Sequence, residues 1–219
     1  MRGTDGADPS AARLCEVCAD AVSMTGAGVM LMSGDLPSGS LCSSTPVSTL
    51  IEELQYTTGE GPCVDAFHQG RPVLEPDLAH PDVARWPGFS PPAVAAGARA
   101  VFGFPLLIGH VRLGALNLYR DQPGALTDDQ HSDAIIVASV AARTILNFQA
   151  HAPDGALAAE SAQGTNYRFV VHQASGMVSV QLGVSVAEAL LRLRAYAFAH
   201  DRPINDVARD VVARRVRFE

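Results

Sequence analysis

Eight arginines crowd the last quarter of this 219-residue chain. Arg168, Arg192, Arg194, Arg202, Arg209, Arg214, Arg215 and Arg217 lie between residues 166 and 219 against five acidic residues, a local balance of +3. A guanidinium is planar and charged at every relevant pH; it reaches phosphate oxygens with a fork of N–H donors and stacks on nucleobases. Arg192 and Tyr196 stand four residues apart, so on a helix a cation and an aromatic ring share one flank. Arg194 falls on the other flank at the margin of an apolar stripe, where pairing with an acid such as Asp206 is the structural alternative. Arg209, Arg214, Arg215 and Arg217 make a basic end to the final helical stretch, an arrangement the helix dipole also favours. Arg168, Arg192, Arg194, Tyr196, Arg202, Arg209, Arg214 and Arg215 are therefore the candidate contacts to a phosphate-bearing partner.

The other reactive side chains carry weaker signals. Cys15 and Cys18 form a C-x-x-C, but helical spacing puts Cys18 on an apolar face, and Cys42 and Cys63 lack ligand-like spacing, so buried hydrophobes kept reduced are expected, with no metal. Cys63 follows Gly-Glu-Gly-Pro, a turn that could border a pocket. Trp86 and Phe89 in the segment RWPGF, with Phe104 in a later apolar run, are the remaining candidate pocket walls; packing of that loop explains them equally well. His68, His110 and His131 are too scattered for a metal or haem site. No G-x-S-x-G, H-E-x-x-H or Walker sequence is present, so hydrolase and nucleotidase chemistry have no foothold, and neither a catalytic residue nor a cofactor is expected.

The elements that must position these residues follow from periodicity and turn signals. All 16 cationic residues are arginine, and the net charge of −7 divides into −8 over residues 1–150, −2 from Asp154 and Glu160, and +3 beyond residue 166. Residues 1–9 read as a loose tail. A helix is expected over 11–24, with Leu14, Val17, Cys18, Ala21 and Val22 on one face, then a strand over 27–32, a serine-rich loop, and a helix over 48–56. The runs AVFGFPLLI and VRLGALNLY flank Gly109-His110 as a hairpin, with Pro105 marking a bulge or an edge. Thr127 and Gln130 have the side chains of a capping box, opening a helix with Ala134, Val137, Ala138, Ala141, Ile145 and Phe148 inward.

Residues 150–165 have linker composition. Beyond them, Val170, Ala174, Met177 and Val178 mark one helix, in which Gly176 suggests close packing or a close approach by a ligand. Gly183 suits the left-handed residue after that helix. Ser185 and Glu188 can cap a second helix with Val186, Ala189, Leu190, Leu193 and Ala197 inward. Asn205 can cap a third, with Ile204, Val207, Ala208 and Val211 inward and Arg215 falling on that same line, so that fraying is expected near its end. No run approaches the roughly 18 apolar residues of a membrane span and residues 1–10 do not look like a signal peptide; a cytoplasmic protein is expected.

Two stretches resemble known families. Residues 10–149 are similar to actinobacterial GAF domains through QYTTGEGPCVDAFHQGRPV, RWPGF, AVFGFPLLIGHVRLGALNLYR and PGALTDDQ in that order. Residues 166–219 resemble ANTAR domains through QASGMVSVQLGVSVAEALLRLRAYA and RPINDVARDVVARRVRF. The first resemblance implies an α+β sensor, an antiparallel sheet flanked by helices, able to take a small-molecule ligand or to dimerise. The second implies an all-α three-helix module that binds paired RNA hairpins in nascent transcripts and prevents terminator formation. Together they imply a homodimeric, signal-responsive antitermination regulator, whose RNA contacts would be the arginines and Tyr196 named above. Two alternatives stand beside this reading: a helix-turn-helix on duplex DNA, for which the connection between the last two helices reads as long, and a thiol enzyme built on the first domain, since some GAF relatives reduce sulfoxides with cysteines.

Overall fold

The computed structural model describes residues 9–33, 36–81, 84–151, 162–200 and 202–219, with side chains described for 13–32, 39–81, 84–148, 170–200 and 202–219. The chain divides into two compact units, Met1–Glu160 and Ser161–Glu219. The tail expected over 1–9 and most of the linker expected over 150–165 lie outside the described residues. Among the described residues no single helix is long and apolar enough to cross a membrane.

The first unit is one five-stranded antiparallel sheet, β1 (Gly26–Ser33), β2 (Leu36–Ser43), β3 (Val73–Glu75), β4 (Ala100–Ile108) and β5 (Val111–Arg120), in the order β2-β1-β5-β4-β3. Helices α1 (Pro9–Ala21) and α5 (Asp128–His151) cover one face; α2 (Pro46–Thr58), α3 (Pro62–Gln69) and α4 (Ser90–Ala95) cover the other. Strand alternation sorts the side chains between these layers. Phe102, Phe104, Leu106, Leu116 and Leu118 bury themselves under α1 and α5, while Val101 and Tyr119 join Ile51, Trp86 and Phe89 on the opposite side. Gly103 is required by that second layer, because a Cβ there would collide with the Pro62 carbonyl oxygen at the start of α3.

The hairpin forms as expected, with Gly109 at φ +60°. Pro105 lies past the stretch of β4 that β3 covers, Val101–Gly103, so its missing N–H costs no ladder bond on that side; the register shifts one residue later, between Leu106 and Leu107. The capping box at α5 closes from both sides, Gln130 N–H donating to Thr127 Oγ1 at 3.2 Å and Thr127 N–H to Gln130 Oε1 at 3.2 Å.

Three expectations are corrected. The serine-rich segment is not all loop: β2 forms in it as an edge strand, paired to β1 alone with two register shifts, so neighbour pairing overrides the poor strand propensity of LPSGSLCS. On α1 the inward face carries Cys15 rather than Val17, which is 55% exposed. The cysteines are not all reduced hydrophobes either, because α1 lies beside β2 with Cys15 and Cys42 Cα atoms 6.0 Å apart and their sulfurs joined in a disulfide. Cys18 and Cys63 are free and buried, and burial pushes the Cys18 thiol up to about 11.

The second unit is three helices, α6 (Ala162–Leu182), α7 (Val186–Ala199) and α8 (Ile204–Val212), with α6 packed against both others. Its core is Val171, Ala174 and Val178 of α6, Ala189, Leu190, Leu193 and Ala197 of α7, and Ile204, Val207, Ala208 and Val211 of α8. Val186 is half-exposed rather than inward, and Met177 sits at the core's edge. Ser185 caps α7 by accepting from Glu188 N–H, and Gly183 takes φ +64°. Asn205 does not cap α8: the cap position falls on Pro203, whose side chain offers no acceptor, and Asn205 lies inside the helix. Gly176 meets nothing within 4 Å of where a Cβ would stand, so packing inside this unit does not require it.

The disulfide spans 27 residues and ties the edge strand to the N-terminal helix. Chain-entropy arguments give such a cross-link roughly 3–4 kcal/mol. Reduction, or Cys42→Ser, is expected to lower the thermal midpoint of the first unit, and non-reducing peptide mapping should recover a Cys15–Cys42 linked peptide; equal midpoints with and without reductant would refute the assignment.

Candidate nucleic-acid interface and sensor groove

The four candidate pocket residues are not brought together. Trp86 lines an open groove of about 470 Å³ with Leu78, Pro81, Arg85, Pro91 and Val94. Its ring is fixed from three sides: Nε1–H donates to Asp65 Oδ2 at 3.1 Å, Phe89 packs edge-on at 6.2 Å, and the Arg85 guanidinium lies 4.4 Å over its centroid. Arg85 is held in turn by the buried Glu75 at 3.4 Å. Phe89 is fully buried behind the groove, and Phe104 is on the wrong face of the sheet, against His131 of α5. Cys63 begins α3 inside a buried polar cluster, its N–H donating to Gln55 Oε1 at 2.7 Å, while Glu52 Oε1 accepts from Asn117 Nδ2 at 3.2 Å. Burial first, and the Glu52 charge second, push the Cys63 thiol well above its ordinary value. A buried, protonated thiol is the reverse of the exposed, low-pKa thiolate that nucleophilic chemistry needs.

In the second unit, most of the candidate arginines are already held by carboxylates. On α7, Arg192 donates to Glu188 at 2.9 Å, an exposed pair one helical turn apart. Asp206, the acid considered for Arg194, accepts from Arg209 at 2.8 Å, and Arg194 itself is half-buried. Asp210 accepts from Arg202 at 2.6 Å and from Arg215 at 2.7 Å, so one carboxylate ties the residues before and after α8. Helix α8 stops at Val212, before helical spacing would carry Arg215 into the core. Tyr196 stacks on His200 at 4.0 Å and meets Phe218 at 5.2 Å. The Arg168 side chain lies outside the described residues.

Sequence reasoning missed Arg217 and Phe218 as parts of one site with Arg214. The three line a cleft of about 330 Å³ with Met177, Gln181 and Glu219. Arg214 and Arg217 are exposed and make no ion pair with any described residue. The connection between α7 and α8 is also shorter than its sequence suggested, residues 200–203, because α7 runs on to Ala199. Among the described residues no group of three or more His, Cys, Asp or Glu side chains is placed to hold a metal ion.

A five-stranded sheet between two helical layers is the architecture of GAF domains, and residues 11–146 match the GAF domain model; the chain belongs to that family. Residues 163–212, the three-helix unit, match the model of the ANTAR domain. Solved structures place the first unit in the same fold. A domain assigned to a two-component sensor histidine kinase of Sinorhizobium meliloti 1021 superposes with a TM-score of 0.53 at 14% identity, covering 67% of this chain and 95% of that one. The GAF domain region of a protein assigned to the membrane of Geobacter sulfurreducens PCA gives 0.50 at 13% identity, covering 62% and 89%. No curated protein matches the chain significantly.

The Asp210 carboxyl is held below its ordinary range, foremost by the Arg202 hydrogen bond and then by Arg215. A depressed carboxyl stabilises the fold above its unfolded value, about 3.9, and that contribution is lost as pH falls through the lower folded value. Asp210→Asn should therefore melt earlier than the native chain at neutral pH, with the gap closing as pH falls below about 4 and through the lower folded value. A gap independent of pH would contradict the ion-pair role.

Proposed function

We propose that this chain is a signal-responsive RNA-binding antitermination regulator, in which the GAF domain receives the signal and the ANTAR domain binds paired hairpins in nascent transcripts. One observation carries the reading: the C-terminal unit, in which residues 163–212 match ANTAR, holds half of the chain's arginines over residues 166–219, with a balance of +3 in an otherwise acidic protein. An acidic sensor has no affinity for a polyanion, so the basic unit supplies the attraction. Exposed pairs such as Arg192–Glu188 contribute little stability and exchange readily for a phosphate. The site of action is the cytoplasm, where transcripts are made.

The GAF unit acts as a homodimer, its second copy seated on α1 and α5. Helix α5 leaves Ile135, Ile136, Val140 and Leu146 exposed, and α1 adds Val17, apolar side chains that a second copy would cover. The groove beside Trp86, apolar with a cation at its rim, suits a small apolar or weakly anionic ligand.

The short α7–α8 connection favours a second reading, since a turn of this length is also that of a helix-turn-helix on duplex DNA. Against it, the outward side of α8 carries Asp206 and Asp210 beside Arg209, a poor surface for a major groove.

Gel shift with a synthetic two-hairpin RNA is expected to show binding that weakens linearly in log salt and survives competition by duplex DNA of the same sequence. Replacing Arg192 and Arg194 by alanine should lower the salt slope by about 1 for each phosphate no longer neutralised, with helicity unchanged. Preferential competition by the DNA would favour the second reading, and unchanged affinity in the double variant would remove the α7 face from the interface.

A further inference from the structure

Carboxylates within the second unit already engage Arg192, Arg202, Arg209 and Arg215, so an outside anion meets the least competition at cations that no described carboxylate holds. Arg214 and Arg217 are such a pair, and both open on one cleft with Gln181, Phe218 and Glu219. Its volume, about 330 Å³, lies at the small end of the roughly 300–1,000 Å³ of ligand sites, too small for a duplex.

The cleft is also built rather than incidental. Phe218 is folded back on the unit, its N–H donating to Gln181 Oε1 at 3.0 Å and its ring lying 5.2 Å from Tyr196, which is itself stacked on His200. Arg214 holds φ +59°, a left-handed conformation that glycine adopts freely and a residue with a Cβ adopts at a cost. Strain of this kind persists where a side chain is needed in one place. The sequence has a cation there instead of the glycine that usually follows a helix. Arg214, Arg217, Phe218 and Glu219 all lie past the matched residues 163–212.

We infer that this cleft takes one unpaired nucleotide of the bound RNA, its phosphate between the Arg214 and Arg217 guanidiniums and its base against the Phe218 ring. The inference rests on the RNA-binding reading of the same unit. Paired bases have both faces covered by their neighbours, so an aromatic side chain recognises bases that are splayed out of the helix. Gln181 and Glu219 give the site a donor and acceptors beside the ring, which suits a base edge as well as a phosphate.

Full-length protein titrated with a synthetic two-hairpin RNA bearing unpaired loops, and with a fully paired duplex RNA, tests this. Phe218→Leu, which keeps apolar volume against Tyr196, should weaken the looped RNA about tenfold and leave the duplex unchanged, while Phe218→Tyr retains affinity. Arg214→Gln with Arg217→Gln should lower the salt slope by about 0.7, the share of one single-stranded phosphate. Should Phe218→Leu lose helicity, photocrosslinking of native protein to loop 5-bromouridine replaces it, with adducts expected at Phe218. No loss, equal loss on both RNAs, adducts only elsewhere, or displacement of the looped RNA by uridine monophosphate at comparable affinity would each overturn the cleft assignment and leave the RNA reading standing. Failure of native protein to bind the looped RNA would overturn that reading and this one with it.

Discussion

The Asp210 carboxylate is the fixed point of the basic unit. It accepts from Arg202, in the corner between α7 and α8, and from Arg215, beyond the end of α8, so both ends of a nine-residue helix are tied to one acid. A helix this short is not stable by itself and depends on tertiary ties and on the burial of Ile204, Val207, Ala208 and Val211. Arg215 is drawn back to Asp210 just past the end of α8; the chain turns at Arg214 and carries Arg217 and Phe218 across the end of α6. The arrangement thus ties Arg202 and Arg215 into the fold and leaves Arg214 and Arg217 with no ion pair to a described residue.

The same division of labour runs through the whole chain. The first unit is a sheet with two dissimilar faces. One is closed by α1 and α5 over large aliphatic and aromatic side chains; the other is closed by α2, α3 and α4 over a core that includes the polar group of Glu52, Gln55 and Asn117. That buried polar cluster lies where the second helical layer meets the sheet, and the groove beside Trp86 opens on the same side. A ligand reaching the groove would press on α4 and on the buried Phe89 behind it. The helix α5 that closes the opposite face is the one leading out of the domain.

Much of this was legible in the sequence, and the failures have identifiable causes. Helical periodicity located α1, α2, α5 and the three helices of the second unit because each buries a stripe at three- and four-residue spacing. The hairpin at Gly109 and the caps at Thr127 and Ser185 were legible because turn and cap chemistry is local. Strand β2 was not, since LPSGSLCS has no strand propensity and becomes a strand only through pairing with β1. The disulfide was not legible either, because Cys15 and Cys42 meet only once α1 lies beside that edge strand. Phe104 escapes prediction for a simpler reason: one residue of strand register decides which face of a sheet a ring joins. Among the arginines, the pairs Glu188–Arg192 and Asp206–Arg209 sit at helical spacing, whereas the double tie at Asp210 depends on how the chain turns after α8. Phe218 gave no signal, as it belongs to no periodic element.

The proposed partner of the basic unit is hairpin RNA, gripped by arginine because the chain has no lysine. Crosslinking the intact protein to RNA in cells, followed by transcriptome-wide sequencing of what it holds, tests that claim most directly. The account predicts enrichment of transcript leaders that fold into two adjacent hairpins overlapping a terminator. Recovery of RNA with no shared secondary structure, or of genomic DNA in preference to RNA, would contradict it.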